Sequence, residues 1–223
     1  MDLNQIFWTL RLGMPKNKAS IYDIRHDVGN YIKNPVFFLS TGRCGTKWFS
    51  ELLKRDKSLA IFHQPVPSFA MQGKKIYEWY AKGNGNLSES EQELIMEMFW
   101  AGREDYLRYT YKTSKRYIET NNYITFFAPV LKQIFPDAKF VHLIRHPGEF
   151  VRSGVARSYY SGNIRDLMRP VPITGSYLEK WKDFGRIEKT AWLWNETNMF
   201  IQDFLKTLPS NQFEVFDFTG PGI

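Results

Sequence analysis

Two short stretches of this 223-residue chain carry residue types suited to holding anions. The first is Ser40-Thr41-Gly42-Arg43-Cys44-Gly45-Thr46-Lys47-Trp48. Where a glycine-containing turn opens a helix, exposed backbone N–H groups and the helix dipole favour a phosphate. Arg43 and Lys47 add positive charge there, and Thr46 adds a hydroxyl. The second stretch is Leu143-Ile144-Arg145-His146-Pro147-Gly148-Glu149-Phe150-Val151-Arg152-Ser153. Arginine offers a planar fork for phosphate and serine a donor hydroxyl, so Arg145 and Ser153 could grip a second phosphate. Taken singly, each stretch also fits an ordinary surface turn with solvated cations.

The elements around these stretches follow an α/β alternation. Apolar runs at 35–39, 59–62, 116–119, 139–144 and 213–218 predict buried strands. Helical spacing predicts helices over 46–57, 89–106, 126–135, 147–160 and 186–207. Pro147 sits where a first helical residue belongs. Residues 66–86 read as a loop with a short helix and 161–180 as a loop. Residues 1–34 read as a peripheral segment with a short helix. Strands separated by helices imply right-handed parallel βαβ units and a three-layer α/β fold with a five-stranded parallel sheet. Ligands of such sheets bind at the carboxyl ends of the strands. That edge would gather Thr41–Lys47, His63, Asn121 and Arg145.

Bulk properties set limits. The length fits one domain spanning residues 1–223. With 43% hydrophobic and 24% charged residues, most of the chain has enough apolar content to fold. The net charge of +7 suits an anionic ligand but does not identify one. Cys44 is the sole cysteine, which excludes an internal disulfide and points to a reducing, cytoplasmic setting. No apolar stretch suggests a signal peptide or a membrane span. No recognition-helix or RNA-binding signature points to nucleic acid. The aromatic groups Tyr77–Tyr80, Tyr106–Tyr111 and Tyr159-Tyr160 read as core or cleft-wall packing, with stacking on an acceptor as the other reading. Trp181, Trp192 and Trp194 read as core residues of the long last helix.

The first turn does not follow the G-x-x-x-x-G-K-[ST] pattern of nucleotide triphosphatases, and no strand ends in an obvious magnesium-holding acid. This weakens a reading as a P-loop small-molecule kinase. Taken together, the two stretches resemble the sulfotransferases that use 3′-phosphoadenosine 5′-phosphosulfate. Residues 40–48 resemble that family's 5′-phosphosulfate loop, and residues 140–153 its 3′-phosphate element. The resemblance covers roughly residues 35–218. It implies a metal-free sulfonyl transfer to a small-molecule, carbohydrate or lipid acceptor. It assigns Arg43, Gly45, Thr46 and Lys47 to the 5′-phosphosulfate, with Thr41, Gly42 and Cys44 completing the turn. Trp48 would lie near the adenine, and Arg145 and Ser153 would hold the 3′-phosphate. Arg43, where cytosolic members carry Lys, suggests bacterial or carbohydrate-directed members.

Two departures bear on catalysis. Related loops continue to His-Glu-Pro, whose Glu is a candidate base; here the residues are His63-Gln64-Pro65, and Gln64 is no base at neutral pH. His63 is therefore the first candidate to take the acceptor's proton, with Glu119 in reserve. Gln64 and Asn121 are candidates to contact the acceptor. Arg43 and Lys47 would stabilise charge on the leaving oxygen. The family's late glycine-rich basic loop is absent from the sequence after the fifth strand. The chain then reads as a fragment, as an enzyme with weakened donor binding, or as a non-catalytic nucleotide-binding relative.

Overall fold

A computed structural model describes residue 25 and residues 28–218. The segment expected for residues 1–34 lies mostly outside them. Within them, the first element is a four-residue helix, α1 (Val28–Tyr31), followed by Ile32, which is buried in the core.

The alternation continues as β1 (Val36–Leu39), α2 (Thr46–Leu53), β2 (Leu59–Phe62), α3 (Ala70–Lys82), α4 (Glu89–Lys112) and β3 (Arg116–Glu119). A 3₁₀ turn, Asn122–Phe127, then leads into α5 (Ala128–Ile134). The chain proceeds through β4 (Lys139–Arg145), α6 (Pro147–Ala156), a 3₁₀ turn at Ile164–Met168, α7 (Ser176–Lys180), α8 (Arg186–Leu205) and β5 (Phe213–Phe218). The strands form one all-parallel sheet in the order β2-β3-β1-β4-β5.

Alternating side chains of each strand point to opposite sheet faces. Phe37 and Leu39 of β1 join Tyr117 and Phe140 in a large core closed by α4, α5 and α8, through Phe99, Leu131 and Phe204. Phe38 points the other way and packs with Phe49 of α2, Ile118 and Leu143 in a smaller core. The expected α/β architecture with helices on both faces is therefore present. Strands β1 and β4 are neighbours, paired from Val36↔Lys139 to Leu39↔His142. That register brings both anion-binding stretches to the same edge.

Three local expectations are corrected. Residues 66–86 hold a 13-residue helix, α3, not a loop with a short one. Its buried stripe is Ala70, Gly73, Ile76, Tyr77 and Tyr80, and a Cβ at Gly73 would come within 2.5 Å of the Tyr123 carbonyl oxygen. The helix expected over 147–160 stops at Ala156, because Ser158 and Tyr160 adopt positive φ (58° and 52°). Residues 161–180 are not plain loop: they contain the 3₁₀ turn and α7, and Trp181 caps α7 instead of sitting on α8, packing on Trp192 at 5.1 Å.

Among the described residues, no helix is long and apolar enough to cross a membrane. No group of three or more His, Cys, Asp or Glu side chains among them is placed to hold a metal ion.

Candidate active site

The first turn leaves β1 at Ser40 and enters α2 at Thr46. Gly42, Arg43 and Gly45 all adopt positive φ (79°, 58° and 86°). At Gly42 this conformation is combined with crowding, since a Cβ would sit 3.0 Å from Asn122 Nδ2. Side chains brace the turn from behind. Ser40 Oγ accepts from the Gly42 N–H (3.1 Å), while Thr125 Oγ1 accepts from the Ser40 N–H and donates to its carbonyl (3.1 Å each). Cys44 folds inward and donates to the Gly42 carbonyl (3.1 Å). Burial pushes its thiol above the ordinary cysteine range, so it acts as a small packing residue beneath the turn. No side chain caps α2 at Gly45, so its first N–H groups stay available to a ligand.

The second stretch leaves β4 at Arg145 and enters α6 with Pro147 in its first turn. The Arg145 carbonyl accepts from Trp194 Nε1 (2.9 Å), which ties the strand end to α8. Arg145 Nη1 donates to the Arg43 carbonyl (3.0 Å) and Nε to Glu149 Oε2 (2.9 Å). That pairing holds the Glu149 carboxyl below its usual range. Arg43 Nε in turn donates to Ser153 Oγ (3.2 Å). The two stretches are thus bonded to each other at two points.

They form one side of an open cleft of about 1430 Å³. His63 and Gln64 also line the cleft, with Gln64 Nε2 donating to Asn122 Oδ1 (3.3 Å), and Asn122 in turn stands beside Gly42 of the turn. His63 Nδ1 lies 2.8 Å from the Thr120 carbonyl oxygen, which can only accept. In the neutral ring Nδ1 therefore carries the proton and Nε2 the lone pair. Tyr159 and the 3₁₀ turn complete the wall. Burial raises the Tyr159 phenol, with Arg169 and Arg43 pulling the other way, so the hydroxyl stays protonated. The cleft is strongly cationic. Arg43, Lys47 and Arg145 line the side of the turn, Lys74, Arg157, Arg165 and Arg169 line the rest, and among the described residues Glu51 is its single carboxylate.

The structure therefore brings together Thr41, Gly42, Arg43, Gly45, Thr46, Lys47, Trp48, His63, Gln64 and Arg145 around one cleft. Ser153 is half-buried and meets the cleft through Arg43, while Cys44 lies beneath the turn. Two expectations are corrected. Glu119 is fully buried and held by both prongs of Arg103 (2.9 and 2.7 Å), by the Tyr117 hydroxyl (2.6 Å) and by Asn121 Nδ2 (3.0 Å). With its oxygens committed and no route to the cleft, it is no acceptor base. Asn121 is also buried. It donates to the Ser68 carbonyl and to Glu119 and accepts from the Tyr123 N–H, so it stabilises the wall and does not line it. Its neighbour Asn122 lines the cleft instead. Sequence reasoning also missed Lys74, Tyr123, Arg157, Arg165 and Arg169, which reach the cleft only through long-range packing.

Comparisons with known proteins bear on the family and the fold. The family model described as "Sulfotransferase family" matches residues 35–213. The fold is similar to that of a sulfotransferase domain from the curacin biosynthetic pathway. The TM-score is 0.51 at 16% identity, covering 83% of this chain and 67% of that one. A sulfotransferase domain of the Synechococcus PCC 7002 olefin synthase aligns over 83% of this chain and 67% of its own, at 16% identity and a TM-score of 0.45. A sulfotransferase from Alicyclobacillus acidocaldarius aligns over 83% and 73%, at 16% identity and 0.47. No curated protein sequence matches. With the family model covering most of the described sheet and both anion-binding stretches, the chain belongs to the sulfotransferase family.

Proposed function

We propose that the protein transfers a sulfonyl group from 3′-phosphoadenosine 5′-phosphosulfate to a hydroxyl or amine of a small-molecule, carbohydrate or lipid acceptor. The observation that carries this reading is the double link between the two stretches, Arg43 to Ser153 and Arg145 to the Arg43 carbonyl. It supports one ligand with two anionic ends better than two unrelated anions. The donor fits the chemistry of this edge. The α2 N-terminus, Thr46 and Lys47 suit the 5′-phosphosulfate, Arg145 and Ser153 suit the 3′-phosphate, and exposed Trp48 offers a face to the adenine.

In the transfer, a bond forms between the acceptor oxygen or nitrogen and sulfur. The bond from sulfur to the bridging phosphate oxygen breaks, and its electron pair leaves with adenosine 3′,5′-bisphosphate. Arg43 and Lys47 act on the charge that gathers on that oxygen; Arg43 stays protonated and works electrostatically. His63 Nε2 takes the acceptor's proton, its ring fixed by Nδ1–H donating to Thr120.

The test is calorimetric titration with adenosine 3′,5′-bisphosphate, 5′-AMP and ATP–magnesium, followed by donor turnover with chelator present. Metal-free binding of the bisphosphate well above AMP, with turnover, supports the reading. Equal affinity for bisphosphate and AMP overturns it, and tight binding with no turnover toward water or any acceptor reduces the protein to a nucleotide-binding relative.

A further inference from the structure

We propose that the acceptor carries an anionic group of its own, a carboxylate, phosphate or sulfate, seated against Lys74 and Arg165, which lie on elements other than the two anion-binding stretches. The proposal rests on the donor reading above and names the acceptor class for the same cleft.

Over the whole chain 30 Lys and Arg face 23 Asp and Glu, a modest excess. In the cleft the balance is far steeper: among the described residues Glu51 is the single lining carboxylate, and it is already paired with Lys54 at 2.8 Å. The donor accounts for only part of this. Arg43, Lys47 and Arg145 belong to the two anion-binding stretches, and Arg157 stands at the C-terminal cap of α6, the helix that carries Ser153.

Lys74 and Arg165 stand elsewhere. From the turn, the wall runs through Asn122, in contact with Gly42, to Tyr123, whose carbonyl presses on Gly73, and so to Lys74. Gln64 is bonded to Asn122 on this path, and His63 lines the same cleft. An anion at Lys74 is therefore held from α3 and not by the two anion-binding stretches, which leaves it to the acceptor. Lys74 Nζ donates to the Leu167 carbonyl (3.1 Å), which joins α3 to the 3₁₀ turn that carries Arg165. An ammonium has three donors, so two remain. The Arg165 guanidinium takes no partner among the described residues.

This turn is built, not floppy. Asp166 accepts from the N–H groups of Tyr160 (2.9 Å), Gly162 (2.8 Å) and Asn163 (3.2 Å), and Arg169 stacks 3.8 Å over the Tyr159 ring. Asp166 is spent on this backbone and on Arg169 (3.1 Å), leaving nothing to neutralise Lys74 or Arg165. Unneutralised cations in a cleft raise the local concentration of anions and reward a ligand that brings the missing charge.

The experiment uses the full chain saturated with adenosine 3′,5′-bisphosphate, so that the donor cations are occupied. Glucuronate, glucose 6-phosphate and glucose 6-sulfate are titrated against glucose by ligand-observed NMR. At least one anionic sugar should bind about tenfold more tightly than glucose, the worth of one hydrogen bond to a charged group, and the tightest names the anionic group. K74A/R165A should erase that preference while its bisphosphate affinity stays within about twofold of wild type, which also shows that the variant is folded. The proposal is overturned if no anionic sugar binds more tightly than glucose, or if the preference survives in the double variant. Failure of the bisphosphate to saturate the protein indicts the donor reading instead.

Discussion

Replacing Arg145 with alanine tests how the cleft reads its donor. The guanidinium makes two contacts within the protein, to the Arg43 carbonyl (3.0 Å) and to Glu149 (2.9 Å), and its Nη2 remains for a ligand phosphate. Loss of a hydrogen bond to a charged group is worth about 1.5–3 kcal/mol. At 1.36 kcal/mol per decade, bisphosphate affinity should fall by about 12- to 160-fold. The protein itself should lose little. The Glu149 pair is half exposed (30% and 48%) and solvent screening leaves it little weight in stability. The bond to the Arg43 carbonyl adds about 1 kcal/mol, so Tm should fall by about 2–4 °C.

Freeing that carbonyl also loosens the turn, and this would weaken any nucleotide that uses the turn. The remedy is a cycle. Wild type and Arg145→Ala are each titrated with adenosine 3′,5′-bisphosphate and with 5′-AMP by calorimetry. Effects on the turn cancel in the difference between ligands, and what remains is the coupling of Arg145 to the 3′-phosphate. Coupling of about 1.5 kcal/mol or more is expected. If AMP and bisphosphate lose affinity equally, Arg145 serves the turn alone and its assignment to the 3′-phosphate is wrong.

Other perturbations separate the remaining roles. His63→Ala should lower transfer by about 10²–10⁴ with bisphosphate affinity near wild type, whereas Arg43→Ala should lower turnover by about 10²–10³ and also slow donor hydrolysis by water; stopped assays of both reactions distinguish them, and full transfer by the His63 variant removes it as the base. Glu119→Gln should leave Arg103 buried and unpaired and cost about 3–5 kcal/mol by denaturant titration, so a near-neutral result would contradict the burial of this pair. Burial depresses the His142 pKa, and its Nδ1 has no partner while Nε2 meets Asn198 at 2.9 Å. The unfolded chain therefore binds the proton first, and stability should decline as pH falls through about 6.5, the ordinary histidine value; denaturation of His142→Gln from pH 8 to 5 should show a shallower decline even if its overall stability is lower.

Much of the fold was readable because strands and helices leave local traces. Phe37–Leu39 and Phe140–Leu143 are short apolar runs closed by turn residues, and they became neighbouring strands. The same holds for the two anion-binding stretches, whose spacing is set within single strand–turn–helix units. Helix α3 was harder to read because its buried stripe includes Gly73, chosen for close approach to Tyr123 and not for helix propensity. The turn after α6 left no periodic trace, since it is organised by one carboxylate, Asp166, binding three backbone N–H groups.

The acceptor side shows why the reserve base failed. Glu119 sits at a strand end, where sequence logic places catalytic groups, but the strand's pleat decides which face it meets. The next residue along, Thr120, supports His63, and Asn122 reaches the cleft. Glu119 faces α4, where Arg103 stacks 4.0 Å over the Phe69 ring and also binds the Pro67 carbonyl. The buried pair therefore fixes the segment from Pro67 to Phe69, just after His63 and Gln64, and Asn121 ties the same segment through Ser68. A carboxylate that sequence alone would spend on proton transfer is spent on holding the histidine's wall in place. A partner sixteen residues away on another element leaves no signature in local spacing, so only the folded chain separates the base from its scaffold.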